Sequence, residues 1–112
     1  MDEQTRKFVE ILNRLKRGAV EGKVLWEHTG IGAKQYRAPL DQGFHAVVAE
    51  APSGASVIFT MTNGQGLQTI YLDSALLSDD LLRLALFQLY TTVRNTLSDR
   101  IAGEALDALK GL

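Results

Sequence analysis

The stretch Val57-Ile58-Phe59-Thr60-Met61-Thr62-Asn63-Gly64-Gln65-Gly66-Leu67-Gln68-Thr69-Ile70-Tyr71-Leu72-Asp73 decides the fold. Two runs rich in β-branched and aromatic residues flank Asn63-Gly64. Asn-Gly between such runs is the strongest short-range hairpin signal, because both residues accept positive φ. The same alternation extends upstream. Strands are predicted near Lys23 to Thr29, Lys34 to Leu40, Phe44 to Ala51, Ala55 to Thr62 and Gly66 to Asp73, with Asp41-Gln42-Gly43 and Pro52-Ser53-Gly54 supplying turn chemistry. Links this short cannot make parallel crossovers, so the strands form a five-stranded antiparallel meander.

On both sides of the meander the period changes to that of a helix. From Glu3 to Arg17, residues Phe8, Ile11, Leu12 and Leu15 share one face, and Glu3/Lys7 and Glu10/Arg14 pair four apart on the other. Gly18 is predicted to end this helix. Trp26 is predicted to point inward from the first strand, against Phe8, Leu12 and Leu15. After the sheet, Ser78 is a good N-cap with Asp79 and Asp80 in the first turn. The helix it opens has a main stripe of Leu82, Leu86, Leu89, Val93 and Leu97, and Leu81, Leu84 and Phe87 lie away from it. Either Ser98-Asp99 caps a further short helix, striped by Ile101, Ala105 and Leu109 and ended by Gly111, or one helix continues with a bend between Asn95 and Ser98. Grouped strands between helices imply one α+β domain over residues 1–112, with the helices on one face of the sheet.

The chain has 112 residues, of which 12 are Lys or Arg and 13 Asp or Glu, for a net charge of −1. A chain of this size buries about two thirds of its unfolded surface, enough for one core. The absence of cysteine excludes disulfides, Cys-ligated zinc and a thiol nucleophile. No apolar run follows a basic start, and nowhere are 18 apolar residues consecutive, so a soluble cytoplasmic protein without a membrane partner is expected. Between Gln42 and Leu72 the only charged residue is Glu50. The second face of the sheet is therefore either a neutral surface covered in an assembly or a solvated face of Thr and Ser.

Chemistry-bearing residues are few. A nucleophilic site needs a base beside a Ser, Thr or Lys, and only His28 and His45 are available, without a Gly-x-Ser-x-Gly elbow. His28, His45, Glu27 and Asp41 lack metal-ligand spacing, so no metal and no cofactor are expected. The loop Gly30-Ile31-Gly32-Ala33-Lys34 has the glycines of a phosphate-binding loop, but it runs into a strand instead of a helix. Arg6, Lys7, Arg14, Lys16 and Arg17 cluster on the first helix, yet residues 1–17 carry a surplus of only two positive charges, which argues against nucleic acid as a partner.

The densest constellation is Arg83, Phe87, Tyr90 and Arg94, at intervals of four, three and four on the long helix, with Leu84 beside it. Aromatics and arginines are enriched in interface hot spots, and guanidinium groups stack on rings. Either these residues form an interface, or the rings finish the core and the arginines lie over its rim with buried stems. Two apolar sides on one helix exceed what one sheet face covers, so either the first helix packs beside this one or a second copy of the protein does, and twofold dimers are the commonest assembly.

An amphipathic first helix, then Gly22-Lys23-Val24-Leu25-Trp26, Tyr36-Arg37-Ala38, the Asn63-Gly64 hairpin and Leu89-Tyr90-Thr91-Thr92-Val93-Arg94 resemble a large set of small bacterial α+β domains that stand alone or are appended to other proteins. The shared marks are core and turn residues. The resemblance implies a bacterial, cytoplasmic, accessory role and carries over no active site. The expected function is a small non-catalytic interaction or oligomerisation module, a homodimer or a companion of a second bacterial protein, with Arg83, Leu84, Phe87, Tyr90 and Arg94 as its interface. Two rivals stand beside it. One is a small-molecule or nucleotide-handling enzyme using the Gly30 to Lys34 loop and His28. The other is a nucleic-acid accessory using the basic first helix.

Overall fold

The computed structural model describes residues 2–29 and 34–112. In chain order the elements are α1 (Glu3–Val20), β1 (Glu27–His28), β2 (Gln35–Pro39), β3 (His45–Glu50), β4 (Val57–Thr62), β5 (Gln68–Asp73) and α2 (Asp80–Ala108), with a 3-10 turn at Asp41–Gly43. The five strands form one antiparallel sheet in the order β1-β2-β3-β4-β5, the expected meander within an α+β fold.

Asp2 starts α1, its side chain accepting from the Thr5 N–H at 2.7 Å. The helix does not stop at Gly18 but runs to Val20. Gly18 is used for close approach instead: a Cβ there would stand 2.6 Å from Val24 Cγ2. The returning chain folds onto it, and the N–H groups of Lys23 and Val24 both donate to the Gly18 carbonyl, at 2.9 and 3.1 Å. That accounts for the short first strand. With two of its amides closing α1, the segment predicted as a strand from Lys23 pairs with β2 in register only at Glu27 and His28, with one further bond from the Thr29 N–H to the Gln35 carbonyl at 3.3 Å. Trp26, just before β1, is buried in the common core as expected.

Register puts alternate residues in two sets. Tyr36, Val48, Phe59 and Leu72 lie in one row across four strands, with Ala38 and Ala46 in the next, and all are buried. α2 lies against β3 and β4, and α1 lies against α2. Phe59 and Val48 of the sheet, Leu12 of α1 and Leu86, Leu89 and Val93 of α2 are the largest fully buried side chains, so the sheet and both helices share one core. Removal of each such side chain from water stabilises the fold by roughly 1.5 to 3 kcal/mol.

The turns differ from a two-residue Asn-Gly hairpin. The β4–β5 link is a longer loop in which the Asn63 side chain accepts from the N–H groups of Gln65 and Leu67, at 3.0 and 3.1 Å, and positive φ falls on Gly66. Gly64 serves packing: a Cβ on it would stand 2.8 Å from the Gln42 carbonyl oxygen, where the β2–β3 turn presses against this loop. The helix after the sheet is capped by Asp79, whose carboxylate accepts from the Leu82 N–H at 2.9 Å, one residue beyond the expected Ser78. It then continues unbroken for 29 residues through Asn95 to Ser98, which resolves the two readings of the C-terminal region in favour of one helix. At 1.5 Å per residue it is about 44 Å long. No helix of the described residues is long and apolar enough to cross a membrane.

Candidate interaction surface

α2 is apolar on two opposite sides. Leu82, Ala85, Leu86, Leu89, Val93 and Leu97 are buried. Beyond Leu97 every residue is exposed, although Ile101, Ala102, Ala105, Leu106 and Leu109 again share a face. At about 100° per residue, that second face is turned about 150° from the first. Over its full length the helix therefore has almost no net apolar side. Leu84 and Phe87, 53% and 39% exposed, sit on the same outward side as the C-terminal face. α1 packs along α2, and its Lys16 ammonium donates to Gln88 at 3.3 Å and shares a recess with Phe87, while Leu84 stays the more open of the two. A shallow recess beside Phe87 is lined by Lys16, Gln88, Thr91 and Thr92.

The five residues singled out in sequence divide into three groups. Leu84 and Phe87 face solvent. Arg83 is tied to the start of the helix, pairing with Asp80 at 2.7 Å and donating to the Leu77 carbonyl. Tyr90 turns the other way: only 5% exposed, it packs in the core, 5.9 Å from the Tyr36 ring. Arg94 lies over the Tyr90 ring with its guanidinium carbon 5.7 Å from the centroid, and its head is exposed. The helical stripe is thus a boundary, with Tyr90 on the core side and Phe87 on the water side.

Tyr90 is held by the one charge of the neutral sheet segment. Its hydroxyl donates to Glu50 Oε2 at 2.8 Å, and Lys34 approaches the same carboxylate oxygen at 3.5 Å. The hydroxyl bond first, and then Lys34, keep the Glu50 carboxyl below its ordinary pKa. Burial, followed by the neighbouring carboxylate, pushes the Tyr90 phenol up to about 12. Both shifts express one interaction, in which a protonated phenol donates to an ionised carboxylate. The arrangement satisfies a buried hydroxyl, and sequence alone offered no signal for it, since the partners are 40 residues apart.

The other set of strand residues makes an open groove of about 720 Å³. Its floor is Val47, Ala49, Ile58 and Thr60, all partly buried, and the Ala51–Gly54 turn walls one end. His28 and His45 line a separate recess with Glu27, Thr29 and Arg37, and the His28 ring also meets Tyr36 at 4.8 Å. Among the described residues, no three His, Asp or Glu side chains stand where they could hold a metal ion. Gly30 to Ala33 of the candidate phosphate loop lie outside the described residues, and Lys34 at its end is engaged with Glu50. On α1, Lys7 pairs with Glu3 at 3.7 Å and Arg14 with Glu10 at 2.9 Å, so acids offset part of the basic cluster.

Sequence reasoning saw Ile101, Ala105 and Leu109 as a stripe but not their relation to Leu84 and Phe87. That relation exists only because α2 is continuous, so that one helical phase runs through both sets. No known protein family, curated protein or solved structure matches this chain.

Proposed function

We propose that this chain is a small non-catalytic interaction module that self-associates as a twofold homodimer through the outward side of α2, centred on Leu84 and Phe87 with Arg83 and Arg94 beside them. The observation that carries the reading is the second apolar side of α2. The core already uses the opposite side, Leu84 and Phe87 stay partly exposed beside α1, and an apolar strip along a helix is the form in which helices recognise one another. Arg94, resting on the buried Tyr90 ring, offers a charged rim whose position is set from behind. We place the dimer in a bacterial, cytoplasmic, accessory setting, in which it serves a partner protein.

Light scattering after size exclusion, run across micromolar concentrations, tests the reading. A dimer mass that Phe87→Glu converts to a monomer mass is the expected result. A monomer at every concentration sinks the proposal, and a dimer that survives Phe87→Glu moves the interface off this helix.

A further inference from the structure

We infer that the two α2 helices of this dimer run antiparallel, with the C-terminal turns of each copy seated on Leu84 and Phe87 of the other. The inference rests on the dimer reading above and adds the geometry and the occupant.

Area is the first consideration. A dimer confined to the turn around Leu84 and Phe87 would cover little, whereas a specific interface needs about 1,000 Å² in total. From Leu84 to Leu109 the strip is about 38 Å long and about 11 Å wide, on the order of 400 Å² per copy, so only pairing along its whole length approaches the requirement. The outward side runs that whole length. Leu84, Phe87, Thr91, Ser98, Ala102, Ala105 and Leu109 follow one another with gaps near three and four residues, interrupted only at Arg94 and Asn95, and all are exposed.

Direction follows from size and charge. The strip carries Leu84 and Phe87 near its N-terminal end, Ser98, Ala102 and Ala105 beyond its middle, and Leu109 at its C-terminal end. If the helices cross antiparallel about the point between Arg94 and Asn95, Leu84 meets the partner's Ala105, Phe87 meets the partner's Ala102, and Thr91 meets the partner's Ser98. Large side chains then fill the space over small ones, which packing to interior density requires. Arg94 faces the partner's Asn95. At the two ends Asp80, which holds Arg83, lies near the partner's Lys110, which holds its own Asp107. The positive N-terminus of each helix also approaches the negative C-terminus of the other. A parallel pair instead sets Arg94 on Arg94 and Asp80 on Asp80, and puts Phe87 on Phe87 while leaving Ala on Ala.

Shape agrees. The last turns of α2 project past the core with every side chain exposed, and the molecule is 56 Å along its longest axis. In an antiparallel pair these turns have an open strip of the partner's α2 to lie on, and the two cores stand at opposite ends. In a parallel pair both cores crowd the same end.

The chain has no cysteine, so introduced thiols report without background. Leu84→Cys and Ala105→Cys are both at exposed positions and can be made singly, mixed and oxidised mildly. The expected result is a disulfide-linked dimer from the mixture and none from either variant alone, because in an antiparallel pair the two copies of residue 84 lie about 30 Å apart. Self-linked dimers from either single variant show a parallel pair and overturn the inference. No linkage in a sample that still scatters light as a dimer also overturns it, while leaving the dimer reading intact. A monomer mass for the unsubstituted chain defeats the dimer reading first.

Discussion

The two halves of α2 are made of similar residues and do different things. From Leu82 to Leu97 the apolar side chains vanish into a core shared with Phe59, Val48 and Leu12. From Ser98 to Ala108 side chains of the same kind stand in water, on a face turned about 150° from the first. The handover is visible. Leu97 is the last buried residue, and one turn later the Arg100 guanidinium donates to the Trp26 carbonyl at 3.0 Å, which ties the base of the projecting half to the segment entering β1. An apolar stripe therefore says that a helix has something to bury, but not whether the rest of its own chain supplies the cover.

The largest effect of substitution is expected at that handover. Trp26, 3% exposed, anchors the α1–β1 return beneath α2, although its indole N–H finds no acceptor among the described residues. Trp26→Ala should cost about 3 to 5 kcal/mol in urea melts, and a loss below about 1 kcal/mol would show that it does not anchor the return. Within α2 the halves should separate cleanly. Leu89→Ala, at a position with no exposure, should cost about 3 kcal/mol, whereas Ile101→Ala should change monomer stability by less than about 0.5 kcal/mol. Equal costs at the two positions would mean that the C-terminal half is covered within its own chain.

Between these lies the polar seam under Arg94. Tyr90→Phe keeps the ring and removes the hydroxyl bond to Glu50, and should cost about 1 kcal/mol near neutral pH. The pH dependence has two limits. Glu50 titrates lower in the folded chain than its ordinary 4.5, so its stabilisation is complete above that value and fades as pH falls through it and below. Tyr90 titrates higher when folded, about 12 against 10, so its stabilisation is complete below 10 and fades as pH rises toward 12. The stability gap between the native chain and Tyr90→Phe should be flat in between and shrink toward both ends. A gap unchanged on acidification to pH 3 would show that the pair is not coupled.

Much of the architecture was legible because it rests on local rules. Alternation of Val, Ile, Phe and Thr, punctuated by turn residues, marked four strands to within two residues, and the short links allowed only a meander. Errors arose where backbone groups were taken by distant partners. Lys23 and Val24 spend their amides on Gly18, so β1 is short, and Asn63 folds a longer loop than Asn-Gly alone predicts. At the candidate surface, spacing put Arg83, Phe87, Tyr90 and Arg94 on one stripe, and only the packed sheet shows that the core boundary passes between Phe87 and Tyr90.

The order of the elements, the antiparallel meander, the core stripe of α2 and the excess of apolar side chains on that helix follow from the period of neighbouring residues and from turn chemistry. The tertiary structure alone decided that α2 runs unbroken to Ala108, that Tyr90 turns inward to Glu50, and that Leu84, Phe87 and the C-terminal turns share one open side. Those outcomes depend on which surfaces meet. α1 and the sheet together offer enough area to cover one side of a 29-residue helix over part of its length, and helical phase carries the remaining apolar residues to the other side.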